Sequence, residues 1–407
     1  MSFKGAIINK LNGGLGRSAE TDRVVCIIIG ATKPVDLAYN KAYELLDIST
    51  AEDLGITAST DDTNKELAHY HLSEIFRLAP ENVCHLILVE KTKTVAQLVA
   101  DDSLKAAIRG IDNVNVLGLA GISTLVANAE TEAVALQGLV TAFESEFLYI
   151  DGIFVEGVGG AAALAIADYP DLRALSAQNI HYMVGQDPAV AGLKAEYGKF
   201  GAIGTALGSV SVRKVHEDLG SVDIEAKPRT RRGEENYSLS DDGLGYWLSA
   251  ALSDGTGFET LSEAEQKSLT AKGWMYVGGF ANYPGYYLNG CPGAVSKDSD
   301  YAYFNFNCIW NKAARIIRNT IIPRIRSKVP TDPSTGQLAS TWVSGIESSV
   351  TEALKAMVSA GNIEESDVYI NPAQAVGEDS PLKVKGKLVV GQIVHEFDVD
   401  LGLTNNL

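Results

Sequence analysis

The chain has 407 residues, of which 46% are hydrophobic and 21% charged, with 39 glycines. This length and composition predict two or three globular domains with a core large enough to need no staples, and exclude a disordered acidic tail. Lys and Arg number 34 against 51 Asp and Glu, a net charge of −17, which argues against a general nucleic-acid binder and against adhesion to an anionic membrane.

Four cysteines, Cys26, Cys84, Cys291 and Cys308, show no CxxC spacing. Cys26 and Cys84 sit in apolar runs, so a reducing, intracellular setting is the expectation. The first five residues lack the apolar core of a signal peptide. The weakly polar stretch 152–168 is Gly-rich and broken by Glu156, so it is no membrane span.

A mildly β-prone arm, Phe3 to Leu11, ends in the glycine-rich run Asn12-Gly13-Gly14-Leu15-Gly16. Val24 to Ile29 predicts a strand buried on both faces. Leu37 to Leu46 carries a helical pattern. Glu66 to Leu78 predicts a helix with Leu67, Tyr70, His71, Ile75 and Leu78 on one side, stopped by Pro80. Val83 to Val89 is a second buried strand. Val95 to Arg109 is helical with a break at Asp101-Asp102. Val114 to Leu119, Phe147 to Val155 and Tyr182 to Val184 are further strands, with a helix over Thr131 to Glu146. This alternation predicts an α/β layer with a mostly parallel sheet.

Asp187 to His216 is rich in Ala and Gly and reads as helical turns around a tight packing surface. Trp274 to Phe280 predicts a strand. Tyr303 to Val329 predicts a long helix, bent or ended near Pro323. Trp342 to Ala360 predicts another, with Trp342, Ile346, Val350, Leu354 and Met357 in one stripe and Gly361 as its stop. Leu382 to Val390 and Ile393 to Leu403 predict two closing strands. The domain reading is an arm and hinge over 1–20, an α/β body over 21–255, a C-terminal assembly domain over 256–394 and a second arm over 395–407.

Few constellations suggest catalysis. Gly13-Gly14-Leu15-Gly16 resembles the nucleotide-binding loop of sugar-nucleotide uridylyltransferases, where glycine amides approach phosphates. Such a loop should follow a buried strand and open a helix, and here the buried strand comes afterwards. The six histidines form no chelating set: His69 and His71, two apart, point to different helix faces. No Gly-x-Ser-x-Gly elbow is present. No catalytic residue, metal ligand or cofactor is expected.

Charge segregation carries more information. Residues 301–331 contain no acid and hold Lys312, Arg315 and Arg318 at i, i+3 and i+6, a cationic ridge on one helix face. At the C-terminus, Val390-Gly391-Gln392-Ile393 fits a two-residue hairpin turn. That register pairs Lys387 with Glu396, Lys385 with Asp398 and Lys383 with Asp400, and sets Val384 against Val399 and Leu382 against Leu401. The same complementarity serves if the strand Glu396 to Leu403 leaves its own chain and pairs with a neighbour's. An intrachain hairpin and strand exchange stay open as alternatives.

These residues resemble the contractile-tail sheath proteins of phages and related injection systems, closest to a sheath group known as a domain of unknown function. The resemblance is carried by Ile7-Ile8-Asn9-Lys10-Leu11-Asn12-Gly13-Gly14-Leu15-Gly16, by Thr205 to Val215 with His216-Glu217, and by Gly273-Trp274-Met275-Tyr276-Val277. Asp300-Tyr301 leading into the basic helix, Trp342 to Gly361 and the closing strands complete it.

The resemblance implies a two-domain α/β sheath-type fold: an outer α/β body and an α+β assembly domain with extended terminal arms. It implies a structural, non-enzymatic protein forming stacked homohexameric rings around an inner tail tube protein, between a baseplate and a tail terminator. Such a protein is assembled in the bacterial cytoplasm, resides in a virion tail or injection-system sheath, and neither binds nucleic acid nor inserts in a membrane. The inter-subunit arms would use Phe3, Ile7, Ile8, Glu396, Phe397, Asp398, Val399, Asp400 and Leu401. Lys383, Lys385 and Lys387 would mark the accepting strand. Gly13, Gly14 and Gly16 would form a hinge, and Lys312, Arg315 and Arg318 would face the tube. The alternative is a nucleotide-binding enzyme using Gly13-Gly14-Leu15-Gly16.

Overall fold

The computed structural model describes residues 22–160, 163–399 and 401. The chain divides into two compact units, 1–307 and 308–407.

The first unit is built on a six-stranded sheet. Its strands are β1 (Val25–Gly30), β2 (Ala42–Leu45), β3 (Cys84–Val89), β4 (Val116–Ala120), β5 (Gly152–Glu156) and β6 (Ile180–Met183), in the order β2-β3-β1-β4-β5-β6. All pairs are parallel except β2 with β3. β1 and β4 are buried at every position, which is why they read as continuous apolar runs.

Helices cover this sheet: α1 (Ala68–Leu78), α2 (Val95–Ala100), α3 (Asp102–Arg109), α4 (Ala129–Ser145) and α5 (Ile203–Val212). The break expected at Asp101-Asp102 is a change of cap. Asp101 ends α2 and its carboxylate accepts from the Ser103 and Leu104 amides to start α3. α5, with its glycines and alanines, is buried along almost its whole length and packs on α1. At Gly204 an added Cβ would come within 2.6 Å of the His71 Cα.

Three local expectations need correction. The Leu37–Leu46 segment is not helical: Asn40 takes a left-handed φ of 55° and Ala42–Leu45 is the antiparallel edge strand β2. Ladder bonds to β3 outweigh a weak helical pattern in so short a segment. The Trp274–Phe280 segment contributes only a two-residue strand, Val277–Gly278. The strand expected from Phe147 begins at Gly152, because Phe147 takes a left-handed φ of 64° just after α4.

Parallel strands in this order reverse direction of growth between β1 and β4, where open α/β sheets hold ligands at their carboxyl ends. Here two glycines meet at that point. A Cβ on Gly30 would lie 2.5 Å from the Gly121 carbonyl oxygen. Beside them is a cavity of about 210 Å³ that includes Lys65, Lys91 and Glu156. Lys65 pairs with Glu196 at 2.6 Å and Lys91 with Glu66 at 2.9 Å. Glu156 is fully buried and accepts from the Gly121 amide at 2.7 Å and the Gly201 amide at 3.0 Å. Burial raises its pKa to about 7, against the opposing pull of those amides.

α6 (Phe304–Ile321) begins in the first unit and runs into the second, and a single 3-10 turn over Ile322–Arg324 ends it at Pro323. The second unit also contains α7 (Ser340–Ser359), β7 (Glu365–Ile370) and β8 (Val384–Val389). The stretch 256–303, grouped by sequence with the C-terminal third, belongs to the first compact unit.

Candidate assembly surfaces

In the second unit α7 carries a two-stranded antiparallel sheet. α7 buries Val343, Ile346, Val350, Leu354 and Met357. Trp342, expected to head that stripe, is half-buried, and Val343 takes the inward position. β7 was not foreseen. Its signal is period-two alternation, with Val368 and Ile370 buried and Glu365, Asp367 and Tyr369 exposed.

The closing hairpin of the sequence analysis does not form. β8 pairs with β7, so Lys387 lies opposite Asp367 and Lys385 opposite Tyr369, not Glu396 and Asp398. The upstream strand takes the β8 ladder and sets Asp367 opposite Lys387, so no return at Gly391-Gln392 is needed. Residues 391–399 form no strand. Lys383, Lys385 and Lys387 are exposed, as are Glu396 and Asp398.

The tail is therefore bare and apolar at alternate positions. Phe397 is 83% exposed, Val399 74% and Leu401 91%. Large side chains left in water in such a row mark a contact site. Among the described residues, β8 has a strand on one edge only. A two-stranded ribbon is marginal in water without further pairing or packing.

The basic segment is more enclosed than expected. Lys312, Arg315 and Arg318 are half-buried, and the Lys312 ammonium donates to the Asn362 side-chain oxygen at 2.9 Å. Arg324 donates to the Ser349 hydroxyl at 2.7 Å. Arg326 and Lys328, beyond the helix, are exposed. Phe3, Ile7, Ile8, Gly13, Gly14, Gly16 and Asp400 lie outside the described residues.

Family models match both parts of the chain: DUF2586, N-terminal domain, over residues 3–291, and DUF2586, C-terminal domain, over 300–407. The chain belongs to the DUF2586 family. No curated protein matches it. Solved structures show which fold this DUF2586 chain shares. A chain of the anti-feeding prophage baseplate, six-fold symmetrised, matches with a TM-score of 0.61 and 13% identity, covering 99% of both chains. The anti-feeding prophage helical sheath in its contracted state matches at 0.59 and 14%, covering 100% of both. The contracted PVC sheath complex, from an extracellular contractile injection system, matches at 0.59 and 13%, covering 100% of this chain and 98% of that one. This DUF2586 chain thus has the mixed α/β fold of contractile sheath proteins over its full length, as its sequence resemblance implied. Among the described residues no helix is long and apolar enough to cross a membrane.

Proposed function

We propose that this chain is the structural subunit of a contractile tail or injection-system sheath. The observation that carries the reading is fold similarity to sheath proteins over the whole chain. The open edge of β8 and the bare alternating tail support it. Six copies form a ring around an inner tube, rings stack helically between baseplate and terminator, and contraction drives the tube through a target envelope. The sheath is a component of the particle's tail, assembled in the bacterial cytoplasm.

Both arms act by strand addition to neighbouring copies, with Lys383, Lys385 and Lys387 on the accepting strand. Gly13, Gly14 and Gly16 absorb the backbone rotation as rigid bodies move. The basic segment meets the tube through Lys312, Arg315 and Arg318, with exposed Arg326 and Lys328 at its end. No chemical step is assigned to the chain.

Negative-stain microscopy of the overexpressed protein tests this reading. Hollow striated tubes or six-membered rings are expected. A protein that stays monomeric under all conditions overturns it. Deleting residues 1–9 or 396–407 should leave a folded subunit that no longer polymerises.

A further inference from the structure

The open edge of β8 has a definite chemistry. The Val389 carbonyl accepts from the amide of Glu364, just ahead of β7, so the odd-numbered residues of β8 aim their backbone groups at β7. By the alternation of an antiparallel ladder, Val384, Gly386 and Leu388 hold their N–H and C=O groups toward the open edge. The two faces of the strand also differ. Lys383, Lys385 and Lys387 share one. Val384, Gly386 and Leu388 share the other, with buried Val368 and Ile370 of the neighbouring β7. That second face has a vacancy: a Cβ at Gly386, opposite Val368, would meet nothing within 4 Å.

The tail has matching parity. Glu396, Asp398 and Asp400 alternate with Phe397, Val399 and Leu401. In its own chain this segment stays off β8, and its apolar members stand in water.

We propose that the open edge of β8 receives residues 396–401 of a second copy as an antiparallel strand in one register, with Phe397 over Gly386. The inference rests on the strand-exchange reading above and adds its direction, its register and the residue that fixes both. Lys387 then stands beside Glu396, Lys385 beside Asp398 and Lys383 beside Asp400, while Val399 meets Val384 and Leu401 meets Leu382. The charged pairs fall at the non-hydrogen-bonded positions, where side chains approach more closely. A parallel strand aligns the same three lysines with the same three acids, as Lys383 with Glu396 and Lys387 with Asp400. It sets Phe397 against the occupied Val384 position and leaves Gly386 to the smaller Val399. Charge therefore does not choose between the two directions. The Gly386 vacancy does, because only the antiparallel strand lays the largest tail side chain across it, as aromatics cover cross-strand glycines elsewhere.

The test mixes single-cysteine variants in assembled protein under mild oxidation; the four native cysteines are buried. Lys387→Cys copies with Glu396→Cys copies should give cross-linked dimers at least tenfold more abundant than Lys383→Cys copies with Glu396→Cys copies. The reverse preference means a parallel strand and overturns the register while leaving exchange intact. Particles that form with neither cross-link place the tail elsewhere, and both the register and strand exchange at this edge fall. A Lys387→Cys/Glu396→Cys variant that closes within one chain means a hairpin and also overturns the proposal.

A second measurement does not depend on cysteine. Gly386→Val should keep the subunit's melting temperature or raise it, since the added carbons enter open space, yet cut assembly at least tenfold. Adding Phe397→Ala should restore part of that loss. Wild-type assembly by Gly386→Val with Phe397 intact overturns the proposal.

Discussion

The indole nitrogen of Trp247 donates to the Oε2 of Glu74 at 3.2 Å, joining residues 173 apart in sequence and both fully buried. The same carboxylate receives the Thr205 hydroxyl at 2.8 Å and the Nε and Nη2 groups of the Arg77 guanidinium. Trp247 takes a left-handed φ of 54°, and its amide is held by Asp187 at 2.8 Å. Glu74 thus ties α1, α5 and the 240–248 loop to one charge. Glu74→Ala should cost about 3–5 kcal/mol, because Arg77, Thr205 and Trp247 all lose their acceptor. Urea unfolding of the variant checks this, and a loss below about 1 kcal/mol would contradict the central role given to Glu74.

A second buried pair, Arg23 with Asp151 at 3.4 Å, has both side chains 2% exposed. Arg23 also lies over the Phe304 ring at 4.9 Å. Asp151→Ala should destabilise by about 3–5 kcal/mol by removing a buried carboxylate from the Arg23 guanidinium, and removing both charges with Arg23→Met/Asp151→Ala should recover part of that. A double-mutant cycle by denaturant unfolding measures the coupling.

Glu156 sets a pH dependence. Its folded pKa, about 7, lies above the 4.5 of an ordinary glutamate, so folding takes up a proton. Glu132, raised to about 7 by burial, acts in the same sense. The stability due to these groups is fully present below about pH 4.5 and is lost as pH rises through about 7. Glu156→Gln should flatten the fall in melting temperature between about pH 5 and 8 relative to wild type. An unchanged slope would mean that the Gly121 and Gly201 amides hold the group ionised throughout.

Two helical glycines should respond oppositely to alanine. At Gly204 the new Cβ would press on the His71 backbone, so Gly204→Ala should cost about 1–3 kcal/mol. At Gly138, on the exposed side of α4, it would meet nothing within 4 Å, and Gly138→Ala should stabilise by about 0.5–1 kcal/mol. Thermal unfolding of both variants decides the point.

The parallel sheet was legible in the sequence because β1 and β4 are buried at every position and β3 at every position but His85, so all three appear as largely apolar runs. The α2–α3 break was legible because Asp101 is a capping residue at the right place. β2 was not, since an edge strand of four residues gains its conformation from ladder bonds to β3, which no local pattern records. β7 escaped for a related reason: only Val368 and Ile370 are buried, and its exposed acids read as loop. That omission misassigned the partner of β8. In the fold Lys387 stands opposite Asp367 and not opposite Glu396. The buried Glu74 network left no motif because its members are scattered from residue 74 to 247 and meet only through the fold.

A sheet of two strands on one helix has a kinetic signature. The amides of Val384, Gly386 and Leu388 face an edge that nothing in the described chain covers, so in dilute solution they should exchange hydrogen with solvent as readily as a loop. If a neighbour's tail seats there, the same amides become interior ladder positions and their exchange should slow by orders of magnitude. The protection of three backbone hydrogens then reports, residue by residue, whether a given copy stands alone or within a lattice.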